Sequence, residues 1–286
     1  MIGLGEKEAK DRVTMMKKYR FALFAILSIC IIATPPANAR ITFSGVQFMA
    51  DAAPGEHLSH DIILNLSSDE SSAYNFSVGV LDWFQNPDGS NIGVKENLVI
   101  APYSAKDLLS ISPKNFTLRP GTSQDIRIEG DMPKGDGGRY AMILVYTSPK
   151  PNKGIQGIGV SVGADTPVIL TIAGSKQIKT GEIENISLAE LVSAKRQNVS
   201  IKFKNTGNYH YKVHAISSLK DEKGDVLATD SPEVKGSIIP TATRQIKFSL
   251  IPKSELTPGT YTVGVNVTLE DGTMLESKAT EFAIKT

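Results

Sequence analysis

Four histidines are the side chains of this sequence best suited to metal binding or proton transfer, and their spacing decides what they can do together. His210 and His214 are four apart, which on a helix would bring both imidazoles to one face and one ion. They fall instead in Tyr209-His210-Tyr211-Lys212-Val213-His214-Ala215, where apolar and polar residues alternate as in a strand. At about 3.3 Å per residue their backbones stand roughly 13 Å apart, too far to share an ion. Both are expected to face solvent, opposite Tyr209, Tyr211 and Val213. His57 and His60 have odd spacing and would point to opposite faces of a strand. The histidines predict no metal site, and no cofactor is expected.

The remaining chemistry-bearing residues are equally unassembled. There is no Gly-x-Ser-x-Gly, no His-Glu-x-x-His and no phosphate-binding Walker loop. The acidic turns at Asp88-Gly89-Ser90-Asn91, Asp221 to Asp225 and Glu270-Asp271-Gly272 are too sparse in carboxylates for a calcium loop and read as ordinary turns. Trp83, the single tryptophan, follows an alternating run and is expected in a core or at its rim. Asn65, Asn75, Asn115, Asn185, Asn198 and Asn266 each begin an N-x-S/T sequon, relevant only where exported proteins are glycosylated. A non-enzymatic protein is the expectation.

The elements that would position these side chains are strands. His60, Ile62, Leu64 and Leu66 alternate, as do Tyr74, Phe76, Val78 and Val80, then Tyr140, Met142, Leu144 and Tyr146. Ile158, Val160 and Val162 alternate against Gly157, Gly159, Ser161 and Gly163, and Val168, Leu170 and Ile172 continue after Pro167. Later come Val199, Ile201 and Phe203, then Tyr261, Val263, Val265, Val267 and Leu269. Asn86-Pro87-Asp88-Gly89, Asn205-Thr206-Gly207-Asn208 and Asp271-Gly272 mark turns. Residues 187–195 could form one short helix; nothing else reads as helical.

One segment occurs twice. Pro120-Gly121 is followed by Ile126-Arg127-Ile128, Met132-Pro133-Lys134 and Gly138-Arg139-Tyr140. Pro240-Thr241 is followed by Ile246-Lys247-Phe248, Ile251-Pro252-Lys253 and Gly259-Thr260-Tyr261. Repetition at domain spacing predicts two domains of one design. The all-β pattern predicts two tandem immunoglobulin-like β-sandwiches at 40–173 and 182–286, joined by a polar linker at 174–181. Tyr140 and Tyr261, each just after a glycine at a strand start, sit where such sandwiches carry a tyrosine corner.

Ahead of this lies a targeting signal. Met16-Lys17-Lys18-Tyr19-Arg20, an apolar run from Phe21 to Ala33 and Ala37-Asn38-Ala39 predict a secretory signal peptide over 1–39. Cys30, the only cysteine, falls inside it, so no disulfide is expected in the exported chain. Cleavage leaves 25 Lys and Arg against 27 Asp and Glu, a net charge of −2. That balance predicts neither nucleic acid nor anionic lipid as partner. No apolar run of membrane length follows. A periplasmic, extracellular or cell-surface location is expected.

Ile111-Ser112-Pro113-Lys114-Asn115-Phe116-Thr117-Leu118-Arg119-Pro120-Gly121, followed by Gln124-Asp125-Ile126-Arg127-Ile128, resembles the N-terminal domain of the PapD-like periplasmic pilus-assembly chaperones. The resemblance covers roughly residues 41–173. It implies two immunoglobulin-like domains, and a last strand of the first domain that lends alternating apolar side chains to an incomplete subunit. Here that strand would carry Ile158, Val160 and Val162. The cationic positions that anchor a client's C-terminus in that family fall at Gln47 and Ile169, neither of them charged. The expected function is binding of a protein partner, with a pilus or surface subunit implied by the resemblance. The alternative is a structural or adhesive module of the cell envelope.

Overall fold

The computed structural model describes residues 41–94, 103–147, 161–188 and 195–284, and from Phe43 on they belong to one compact unit. The predicted leader and the apolar run at Ile158 and Val160 lie outside the described residues. Among those described there is no α-helix, only a 3-10 turn at Lys106–Leu108. Ser187 and Leu188, where a short helix was expected to begin, continue a strand. Leu188 is half-buried there, and the alternating pattern of Ile186 and Leu188 outweighs local helix propensity.

The first ten strands are β1 (Ile41–Ser44), β2 (Phe48–Ala52), β3 (His57–Leu66), β4 (Tyr74–Gln85), β5 (Asn91–Val94), β6 (Leu109–Ser112), β7 (Asn115–Leu118), β8 (Ser123–Asp131), β9 (Gly138–Thr147) and β10 (Gly163–Ile172). One sheet sets β3, β8 and β6 side by side; the other runs β2-β10-β9-β4-β5, with β7 also on β4. Between them lies a core whose inward residues are Ile62 and Leu64 from β3, Phe76 and Val78 from β4, Ile126 and Ile128 from β8, Ile143 and Val145 from β9, and Val168, Leu170 and Ile172 from β10. Each is two residues from the next on its strand, as a pleated sheet requires. Gly45 turns the chain between β1 and β2. A Cβ there would stand 2.2 Å from the Asp61 carbonyl oxygen, and its φ of +70° favours glycine.

The second sandwich contains β11 (Gly181–Leu188), β12 (Gln197–Asn205), β13 (Val213–Lys220), β14 (Val226–Asp230), β15 (Thr243–Leu250), β16 (Gly259–Leu269) and β17 (Met274–Ile284). Its sheets run β11-β12-β15 and β14-β13-β16-β17. Phe203, Ile201, Val213, Ala215, Phe248, Leu250, Val263 and Val267 close its core. The fold is thus two tandem immunoglobulin-like β-sandwiches, and the repeated segment does the same work in each. β8 and β15 belong to one sheet, β9 and β16 to the facing one.

The equivalence extends to single hydrogen bonds. Gly121 N–H donates to Leu66 O (2.9 Å) and Leu66 N–H to Thr122 O (3.0 Å). In the second sandwich Thr241 N–H donates to Asn205 O (3.0 Å) and Asn205 N–H to Ala242 O (3.0 Å). The stretch at 174–180 carries no strand but is tied down. Its Ile178 N–H donates to Asn208 Oδ1 (2.7 Å), and Lys176 O accepts from Asn208 Nδ2 (2.9 Å).

Candidate functional site

Strand β10 is paired unequally along its two sides. On one side it is antiparallel to β9 along its whole length, from Gly163 opposite Tyr146 to Thr171 opposite Gly138. On the other side β2 joins it in parallel, but only from Val168 opposite Phe48 to Ile172 opposite Ala52. Among the described residues no strand flanks 163–167 on that side, so their outward N–H and C=O groups form an open sheet edge. Pro167 supplies no donor, which confines it to such an edge.

Val162 stands at the entrance to this edge. Its N–H donates to Thr147 Oγ1 (2.9 Å) and its carbonyl accepts from Thr147 N–H (2.8 Å), which holds it against the end of β9. It shares its parity with Thr166, Val168, Leu170 and Ile172, all buried between the sheets, yet is itself 41 % exposed. The core-facing row of β10 therefore continues past the point where its own facing sheet covers it. Gly163 is required here because a Cβ would approach the Val145 carbonyl oxygen to 2.4 Å. Of the three residues predicted for the site, Val162 occupies this place, and Ile158 and Val160 lie outside the described residues. Ile169 pairs with Met49 on β2 and Tyr140 on β9. Gln47 is exposed and donates its amide to Met49 Sδ (3.0 Å).

A second cluster, which the sequence reading missed, joins the two sandwiches. Tyr140 was expected to form a corner within its own sandwich. Its hydroxyl instead accepts from the backbone N–H of His210 (3.0 Å) and meets His210 Nδ1 (3.1 Å). Trp83 approaches the Tyr140 ring edge-on at 6.1 Å. The expectation that His210 faces solvent is corrected with it. The imidazole lies edge-on to Tyr140 and tilted against Tyr209, with ring centroids 4.3 Å apart, because the chain at His210 has left the strand pattern and passes under the first sandwich. Burial, helped by the nearby Lys179 ammonium, holds the imidazole below its ordinary pKa. Burial also pushes the Tyr140 hydroxyl up, so it stays protonated.

Polar side chains reinforce the junction. Gln85, buried, donates Nε2–H to Ser237 O (3.0 Å) and accepts from Ile239 N–H (3.4 Å). Gly138 N–H donates to Asn208 O (3.0 Å), and Gln245 N–H to Pro87 O (2.7 Å). Buried Arg244 lays its guanidinium against Gly89 and donates to Lys235 O (2.8 Å). None of these has a periodic signature, since a side chain that reaches another sandwich leaves no pattern in its own strand.

The other candidates behave as turn and strand chemistry. Asp88 accepts from Ser90 Oγ and N–H, Asp221 from the N–H groups of Lys223 and Asp225, and Asp271 from Thr273 N–H. Among the described residues no group of three His, Cys, Asp or Glu could hold a metal. Trp83 is buried and donates to Asn91 Oδ1 (3.1 Å), as expected of a core tryptophan. His214 is exposed, and Tyr211 and Val213 are buried opposite. All six sequon asparagines are exposed. No helix among the described residues is long and apolar enough to cross a membrane.

No family model matches the sequence, and no curated protein does. Solved structures do. A chain from the chaperone–tip adhesin complex of CFA/I fimbriae biogenesis is similar over 86% of this chain and 98% of its own, at 14% identity and a TM-score of 0.44. The class 5 fimbriae chaperone CfaA is similar over 86% and 99%, at 12% identity and 0.42. A structure of the Salmonella enterica SafA pilin with the SafB chaperone gives 85% and 96%, at 13% identity and 0.37.

Proposed function

We propose that this protein is an exported, non-enzymatic protein-binding protein that serves as a chaperone-like factor for pilus or surface-appendage subunits and acts by β-strand addition. Its first sandwich, at 40–173, would offer the edge, and the second, at 182–286, would follow the linker at 174–181. The observation that carries this reading is the half-paired β10. Among the described residues no strand lies beside the edge at 163–167, and the exposed Val162 stands at its entrance. An incomplete sheet supplies the matching need: a missing strand and an uncovered core. The Ser-Pro-x-x-Phe-x-Leu-x-Pro-Gly motif supports the same reading from the sequence side.

The test is capture of envelope proteins by wild-type, Val160→Asp and Val162→Asp forms, with circular dichroism to verify folding. A carboxylate carried into a shared core has no partner there and is costly, whereas a free edge tolerates charge. Both variants should fold and lose the client, while Gln47→Ala should retain it. If the folded variants capture the same proteins as wild type, strand addition is wrong and the envelope-module reading takes its place. Export predicts a mature N-terminus at Arg40, read by N-terminal sequencing; material beginning at residue 1 or 16 would contradict it.

A further inference from the structure

We propose that the contact between Tyr140 and His210 is an acid-sensitive latch between the two sandwiches. In the latch the Tyr140 oxygen accepts from the His210 backbone N–H at 3.0 Å and turns its single hydrogen toward Nδ1, 3.1 Å away. Nδ1 must then carry a lone pair, and the latched imidazole is neutral with its hydrogen on Nε2. Protonation places a second donor in front of the same oxygen and leaves the phenol hydrogen without that acceptor.

The surroundings offer the cation little relief. From the connecting stretch Lys179 lies over the Tyr209 ring, 5.7 Å from its centroid, and opposes a charge on His210. From its own segment His210 meets Tyr209, whose hydroxyl is engaged with Thr171 Oγ1 (3.2 Å), and Tyr211, which donates to Thr180 O. Lys212, Glu270 and Asp271 share the cavity of about 350 Å³ beside it. There Glu270 is 3.6 Å from Lys212, and Asp271 accepts from Thr273 N–H (2.9 Å). From β9, Arg139 donates to the Asp136 and Gly138 carbonyls. Neither carboxylate is hydrogen-bonded to the imidazole.

Tyr140 cannot follow a moving partner. Its N–H donates to Tyr103 O (2.8 Å) and its carbonyl accepts from Ala105 N–H (2.8 Å). A Cβ at Gly138 would come within 2.2 Å of its hydroxyl oxygen, so only glycine leaves room for this rotamer. A charged His210 is therefore relieved by separating the sandwiches, which hydrates the imidazole. The latch is present above the ordinary histidine pKa of about 6.5 and is lost as pH falls below it, through the depressed value of the latched state. Each unit of depression corresponds to about a tenfold rise in the ratio of open to latched molecules on protonation.

Two measurements on the exported chain test this without a variant. Histidine NMR should show His210 titrating below the ordinary histidine value of about 6.5. Small-angle scattering from pH 8 to 5 should show the radius of gyration growing over the same range, reversibly. His210→Asn keeps an acceptor for the phenol and cannot be charged, so its scattering should not change with pH. Titration of His210 at or above that ordinary value, scattering independent of pH in the wild type, or an equal response in His210→Asn would overturn the latch.

Discussion

Two tyrosines at matching positions of a repeated segment came to do different work. Tyr261 donates to Thr257 O (2.7 Å), four residues upstream, and so forms the corner that its place after Gly259 predicts. Tyr140 has the same local sequence and the same strand start, but its hydroxyl goes to the neighbouring sandwich. Tyr261→Phe leaves the Thr257 carbonyl short of its donor and should cost about 0.5–1.5 kcal/mol, read as a lower urea midpoint at constant m-value. An unchanged midpoint would mean the ring alone matters. Tyr140→Phe should instead leave the His210 N–H without its acceptor and weaken the junction between the sandwiches, read as a lower urea midpoint.

At the scale of elements the two Pro turns are the informative pair. Thr122 N–H returns to Arg119 O and Ala242 N–H to Ile239 O, both at 3.1 Å, closing turns with proline second and a left-handed residue third. The first copy places Gly121 there, at φ 73°; the second places Thr241, at φ 69°, a β-branched residue in a region that suits glycine. Strain of this kind costs on the order of 1–3 kcal/mol, partly offset by the unfolded-state entropy that a glycine would add. Thr241→Gly should therefore stabilise the protein by about 1 kcal/mol, while Gly121→Ala should destabilise it by a similar amount. Chemical denaturation of the two variants checks the pair, and a loss of stability in Thr241→Gly would show that the threonine is held by contacts worth more than its strain.

For the whole molecule the decisive feature is how firmly the sandwiches are joined. Asn208 is the common node, since its side chain binds the connecting stretch at Ile178 and Lys176 and its carbonyl accepts from Gly138 N–H. Such a junction predicts that the sandwiches unfold together, in one calorimetric transition whose van't Hoff and calorimetric enthalpies agree. Asn208→Ala removes two part-buried hydrogen bonds and should cost about 1–3 kcal/mol. It should also split that transition and raise the rate of tryptic cleavage at Lys176 or Lys179 by roughly tenfold or more. A single unchanged transition in the variant would place the coupling elsewhere, at Gln85 or Arg244.

By itself the sequence determined what depends on neighbours along the chain. Alternation over Ile62 to Leu66, Val199 to Phe203 and Tyr261 to Leu269 specified strands and their inward faces, because side-chain direction in a strand has period two. Proline and glycine specified the turns, because each restricts or frees one backbone angle. Repetition specified two sandwiches. Tertiary structure alone decided that β2 begins pairing with β10 only at Val168, since strand registry depends on residues more than a hundred positions apart. It also decided that His210 lies beneath Tyr140 while His214 stays in water. Two histidines four apart on an alternating run look alike until the first sandwich is laid over one of them.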